Sequence, residues 1–193
     1  MRATLITLSL TLLITTLLQG CAPVVVGGAA AGVSVIHDRR SAGTTLDDRT
    51  IELKILGKLA EDKALSEHSS LSVNSFNYVV LLSGQAETAA YSNHAASVAA
   101  GTRMVKRVIN EIEIGPKSSL REDANDSWIT SKGKLELFEI KLPGFDPTRV
   151  KITTQRGVVY LMGRVTQQEA DAAVEKIRFL RGVKRVVKIF EYI

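Results

Sequence analysis

The chain repeats itself, and this constrains its fold more than any other feature. Asp48-x-x-Ile51 returns as Asp126-x-x-Ile129, 78 positions later. The run Val79-Val80-Leu81-Leu82-Ser83-Gly84 returns as Val158-Val159-Tyr160-Leu161-Met162-Gly163, at a spacing of 79. Val105-Lys106-Arg107-Val108 returns as Val183-Lys184-Arg185-Val186, at 78 again. A register held across three separated motifs signals internal duplication, and two copies make a tandem of domains rather than a solenoid. Residues 47–114 and 126–193 delimit the two copies, with residues 115–125 as a polar linker between them. Any fold assigned to one copy must also suit the other.

Both copies show the same order of elements. Ile51, Ile55 and Leu59 recur at four-residue spacing, which predicts an amphipathic helix at the start of the first copy. Two β-rich segments follow, residues 71–73 and 78–83 in one copy and residues 150–152 and 158–162 in the other. Asn77 and Gly157 stand where a tight turn is required. A second helix is expected from Tyr91, Ala95 and Val98, aligned with Ala170, Val174 and Ile177. Thr166-x-x-Glu169 reads as a capping box, a pair of side chains that satisfies the orphan amides of a helix start. A last strand closes each copy at residues 105–114 and 183–193. The prediction is αββαβ twice, an α+β fold.

The amino-terminal region reads as an address. After Arg2, residues 3–18 carry no charge. That stretch is shorter than the roughly 20 residues a membrane-spanning helix needs, and it matches a secretory signal. Leu18-Gln19-Gly20-Cys21 resembles the lipobox of bacterial lipoproteins, which implies cleavage after residue 20 and acylation of Cys21 by fatty acids such as palmitate. Each buried methylene then contributes about 0.8 kcal/mol, so several chains anchor stably. Cys21 is the single cysteine in the chain, so stability must come from packed cores rather than disulfides. Residues 21–46 read as a lipidated, flexible tether, rich in Gly and Ala at 24–35 and in small polar residues at 41–45. The Gly28–Gly32 spacing belongs to that linker.

Charge separates the two copies. Residues 47–114 carry 7 basic and 9 acidic side chains, whereas residues 126–193 carry 13 basic and 8 acidic. A positive excess beside a bilayer favours anionic headgroups, at about 1 kcal/mol per basic residue near the surface. Trp128 is the only tryptophan, and its counterpart in the first copy is Thr50, so the repeat does not demand an aromatic there. Helical geometry places Lys132 and Leu135 on the stripe of Trp128, with Lys134 flanking it. An indole over lysines suits an interfacial helix, while packing of Trp128 into the domain core or against the other domain remains the alternative. Asp126 is read as the cap of that helix. Gly133 replaces Ile55 of the first copy and weakens the helix by about 1 kcal/mol relative to Ala.

Catalytic signatures are not found. His37, His68 and His94 lack the partners and spacing of a metal site, no serine sits in a GxSxG elbow, and no Walker-type glycine loop occurs. No cofactor and no enzymatic activity are expected. The pI of about 9.4 would suit nucleic acid, but export and anchoring argue against that partner class.

The element order, the Gly84 and Gly163 positions ahead of the second helix, and Gly182-Val183-Lys184-Arg185-Val186 entering the last strand together resemble the BON domain. With Cys21 and the duplication, the chain resembles the dual-BON outer-membrane lipoproteins of the DolP (YraP) family. That resemblance implies three-stranded sheets with two helices packed on one side, a periplasmic setting and no catalysis. Ala22 after the cysteine fits retention at the outer membrane. It further implies binding of anionic phospholipid, phosphatidylglycerol or cardiolipin-like, by the segment holding Asp126, Trp128, Lys132 and Lys134. The alternative is an adaptor for outer-membrane assembly proteins, with the nearly neutral first copy as its likelier surface.

Overall fold

The computed structural model describes residues 38–193. The segment read as a signal peptide, Cys21 and most of the segment read as a tether, with Gly28, Gly32 and His37, lie outside the described residues. In the first copy, helix α1 (Ala42–Glu61) and a short α2 (Lys63–His68) precede strands β1 (Ser69–Phe76) and β2 (Val79–Ala86). Helix α3 (Ala89–Ala100) and strand β3 (Arg107–Ile114) complete it. The second copy runs α4 (Leu120–Phe138), a single 3-10 turn (Pro147–Arg149), β4 (Val150–Gln155), β5 (Val158–Val165), α5 (Gln167–Arg178) and β6 (Arg185–Tyr192). In each sheet the middle strand pairs antiparallel with the strand before it and parallel with the strand after the crossover helix. The α+β architecture with two three-stranded sheets is as the sequence predicts.

Two boundaries differ from the sequence reading. Helix α1 begins inside the segment read as tether, because the Ser41 side chain accepts a hydrogen bond from the Thr44 amide. Helix α4 begins inside the segment read as linker, because Ser119 and Glu122 form a reciprocal capping box. Asp126 is therefore not a helix cap. It is buried in mid-helix and has another role.

That role explains the repeated Asp-x-x-Ile motif. The Asp126 carboxylate accepts hydrogen bonds from the amides of Arg156 (2.5 Å) and Gly157 (2.8 Å), the two turn residues between β4 and β5. Asp48 accepts from the amides of Asn77 (2.7 Å) and Tyr78 (2.8 Å) in the equivalent turn, and from the Ser75 hydroxyl (2.7 Å). All four turn residues have positive φ, from 49° to 78°. Paired left-handed residues define the turn whose twist matches a hairpin, but a bulky side chain such as Tyr78 resists that conformation. A buried carboxylate on the packed helix holds the turn in place. Ile51 and Ile129, three residues on, are fully buried against the sheets.

Each sheet has two apolar faces. In the first copy Val73, Val80 and Leu82 pack against Ile51, Ile55, Leu59, Ala95 and Ala99 of the helices. In the second, Ile152, Val159 and Leu161 pack against Ile129, Leu137, Ala170, Ala173 and Ile177. The opposite faces meet each other: Phe76 and Leu81 of one sheet join Val158, Tyr160, Met162 and Ile189 of the other in one buried cluster. Helices thus lie outside and the two sheets lie back to back. Burial in this seam pushes the Tyr160 phenol up to about 12.

Polar contacts border the seam. Lys151 pairs with Glu52 and donates to the Ser75 carbonyl at 3.3 Å, Arg185 pairs with Glu111 at 3.3 Å, and Asn77 donates to Glu191. The residues just ahead of α1 join both copies. Arg40 pairs with Asp48 at 2.8 Å and lies 3.8 Å above the Phe76 ring. Arg39 forms a two-pronged pair with Glu169, at 2.5 and 2.9 Å. Burial opposes ionisation of Glu169, yet the Arg39 guanidinium and the Thr166 amide hold its carboxyl below the usual carboxylate range.

Replacing Asp126 with Ala strips two turn amides, one buried and one partly buried, of their acceptor. A loss of about 2–4 kcal/mol in stability is expected, given roughly 1.5–3 kcal/mol for a hydrogen bond to a charged group. Urea denaturation of the purified domain pair checks it, and an unchanged midpoint would contradict the clamp.

Candidate functional site

Helix α4 divides its side chains between two surfaces. Asp126, Ile129, Gly133 and Leu137 are buried against the sheet. Trp128, Leu135 and Phe138 are 48%, 62% and 67% exposed. At 100° per residue, Trp128, Lys132 and Leu135 fall within one narrow arc, Phe138 borders it, and Lys134 lies on the far side of Leu135. The structure thus leaves Trp128 on the outer surface of α4, sets Lys132 and Lys134 on opposite flanks of that surface, and separates Asp126 from them.

Local electrostatics shape this surface. Lys132 reaches Glu136 at 2.9 Å, and Lys176 of α5 reaches the same carboxylate at 3.9 Å. The hydrogen bond and charge of Lys132 hold the Glu136 carboxyl below the usual carboxylate range. Lys134 has no carboxylate within ion-pair distance among the described residues. At the other end of the helix, the Ser119 amide and hydroxyl hold Glu122 below its ordinary value. A cleft of about 230 Å³ opens there, lined by Arg121, Asn125, Arg156 and Lys184.

Gly133 has a packing reason that the sequence reading lacks. A Cβ at this position would stand 3.1 Å from Cδ1 of Ile177 and 3.3 Å from Cδ1 of Ile152. Glycine lets α4, α5 and β4 approach closely, where the first copy fills the same position with buried Ile55.

The sister helix lacks this surface. Thr50, Gly57 and Ala60 of α1 occupy the positions of Trp128, Leu135 and Phe138. Phe138 escaped the sequence reading, although its spacing of ten residues from Trp128 leaves it on the same side of a helix. The two histidines among the described residues serve local structure: His94 pairs with Asp62 at 2.7 Å, and His68 pairs with Glu87 at 2.8 Å while stacking on Tyr91. Among the described residues no group of three or more His, Cys, Asp or Glu could hold a metal, and no helix is long and apolar enough to cross a membrane.

Comparison with known sequences agrees with the repeat. The BON domain matches residues 47–116 and again residues 125–193. The chain belongs to the BON-domain family. Among relatives, this BON protein is 35% identical to the outer membrane lipoprotein DolP of Haemophilus influenzae over 182 residues, covering 93% of this chain and 92% of that protein. It is 39% identical to a 21 kDa hemolysin of Actinobacillus pleuropneumoniae over 159 residues, covering 81% and 79%. It is 30% identical to the osmotically-inducible protein Y of Escherichia coli over 161 residues, covering 81% and 78%. The match to the lipoprotein spans nearly the whole of both proteins, and this BON protein is an outer-membrane protein.

Restoring the sister residue with Gly133→Ile should overpack the junction of α4 and α5. The expected loss is about 1–3 kcal/mol, the usual cost of inserting methylenes into a filled core. Thermal denaturation measures it, and a neutral result would show that the junction has room.

Proposed function

We propose that this BON protein docks on anionic phospholipid through α4 of its second repeat, and that this docking supports outer-membrane integrity. The observation carrying the reading is that Trp128 stands half exposed on the outer surface of α4, with Leu135 and Phe138 exposed on the same side and a lysine on each flank, rather than in a core. An indole and apolar side chains enter the headgroup boundary while ammonium groups meet phosphates. The second repeat also holds the positive excess, 13 basic against 8 acidic side chains.

Acylated Cys21 would supply the permanent attachment and α4 a reversible one. Tethering raises the effective concentration of the second repeat at the bilayer, so a weak intrinsic affinity suffices. Contacts of this kind weaken with salt over roughly a Debye length of 8–10 Å. The role is one of binding, with no reacting group required. Phosphatidylglycerol and cardiolipin present the anionic phosphates that this surface fits.

A second reading has its own observation. Leu46, Leu53 and Leu56 are exposed on α1 of the nearly neutral first repeat. Such a surface suits a protein partner, which makes an adaptor for outer-membrane assembly proteins the alternative.

Co-sedimentation with vesicles containing phosphatidylglycerol tests the first reading. Trp128→Ala combined with Lys132→Glu should lower binding at least tenfold, from the lost ring burial and about 1 kcal/mol per basic residue. Undiminished binding by that variant would overturn it. Crosslinking in cells tests the second: a protein partner retained by the same variant but lost on Leu53→Glu supports the adaptor.

A further inference from the structure

Phe179 has no part in the site described so far. It caps the carboxyl end of α5 and is 72% exposed, more than any other aromatic side chain among the described residues. Its counterpart in the first repeat is Gly101, which likewise caps α3. The fold therefore makes this corner without an aromatic ring. The same comparison singles out Trp128 against Thr50, so two of the sharpest departures between sister repeats are aromatic gains on the surface of the second.

Packing brings these two gains to neighbouring elements. Leu180, next to Phe179, has its Cδ1 3.7 Å from the place a Cβ on Gly133 would take. A Cβ on Gly182 would stand 3.1 Å from Cδ1 of Ile129 and 3.4 Å from Oδ1 of Asn125. The turn after α5 thus runs along α4 between Asn125 and Gly133, the stretch that carries Trp128 and Lys132. Positive charge surrounds the ring. The Arg178 guanidinium lies 4.5 Å from the Phe179 centroid, and Arg181 has no carboxylate within ion-pair distance among the described residues. Glu175 pairs with Arg178 at 2.9 Å, and Glu136 is held by Lys132 and Lys176. The carboxylates here are covered by cations, while cations remain in excess.

We infer that Phe179 and its turn form a second contact with the anionic lipid surface, entering the headgroup boundary beside Trp128 while Arg178 and Arg181 meet phosphates. This rests on the docking of α4 proposed above. It adds an element remote in sequence, and with it a fixed orientation, because two wedges on different elements define a plane where one helix defines only a line. A cationic corner with an uncovered ring suits a lipid surface, where ring and guanidinium are both satisfied at the boundary between acyl chains and headgroups.

The experiment uses vesicles of phosphatidylglycerol and phosphatidylcholine whose acyl chains are brominated at shallow depth, so that they quench inserted indoles. Wild type reports on Trp128 alone. Trp128→Phe combined with Phe179→Trp reports on the turn. Both indoles should be quenched, and Phe179→Ser should weaken vesicle binding about tenfold, as expected for partial burial of a phenyl ring. Its thermal midpoint should stay unchanged, because the residue it replaces is exposed. Quenching of Trp128 without quenching at position 179, together with full binding by Phe179→Ser, would overturn the second contact and leave docking of α4 intact. Absence of quenching at both positions would remove the α4 reading, and this one with it.

Discussion

The seam between the two sheets is the contact on which the rest of the structure depends. A three-stranded sheet with helices on one side leaves its other side bare. Here that side carries Leu81 in one repeat and Tyr160 and Met162 in the other, all almost completely buried. Exposing such surface costs about 25 cal/mol per Å², so neither repeat suits isolation in water. Back-to-back packing removes both bare faces at once. It also forces every helix outward, and so presents the outer surface of α4 to solvent. Arg39 and Arg40 reinforce the joint by linking the start of α1 to Glu169 in one repeat and Asp48 in the other.

Duplication sorts what this architecture requires from what it carries. The clamp from helix to hairpin is kept in both copies, Asp48 on Asn77 and Tyr78, Asp126 on Arg156 and Gly157. Its geometry is strained enough to need a buried acceptor in either copy. The outer surfaces diverge instead. Thr50 faces Trp128, Ala60 faces Phe138 and Gly101 faces Phe179 across the alignment. These three departures are aromatic gains at exposed positions of the second repeat, where the first repeat makes the same elements without an aromatic ring.

Much of this was readable from local chemistry. Ile51, Ile55 and Leu59 announce a helix by their period, and Asn77 and Gly157 announce turns by their tolerance of positive φ. The Thr166–Glu169 box starts α5 as its residues suggest. The equally explicit Ser119–Glu122 box sits in a polar stretch with no apolar period before it, and a start signal without a stripe is easily read as linker. Asp126 misled for a related reason. A carboxylate near a helix start is ordinarily a cap, and only the hairpin turn, thirty residues away in sequence, reveals its real acceptors. Gly133 looked like a weakness of the helix because its neighbours Ile152 and Ile177 belong to other elements.

By itself the sequence determined the repeat, the order of the elements that both copies share and the residues able to turn, cap and fill a core; it did not show the short α2 of the first copy. It also held a hint of the seam. Val79 to Leu82 and Val158 to Met162 are continuous apolar runs, the mark of strands covered on both faces. Continuity cannot say what covers the second face, since any apolar surface would serve. Only the tertiary structure decided that the other repeat covers it, that Asp126 turns inward, and that Phe179 lies beside the helix of Trp128. Each of these joins groups far apart along the chain, and local propensity carries no information about such pairs.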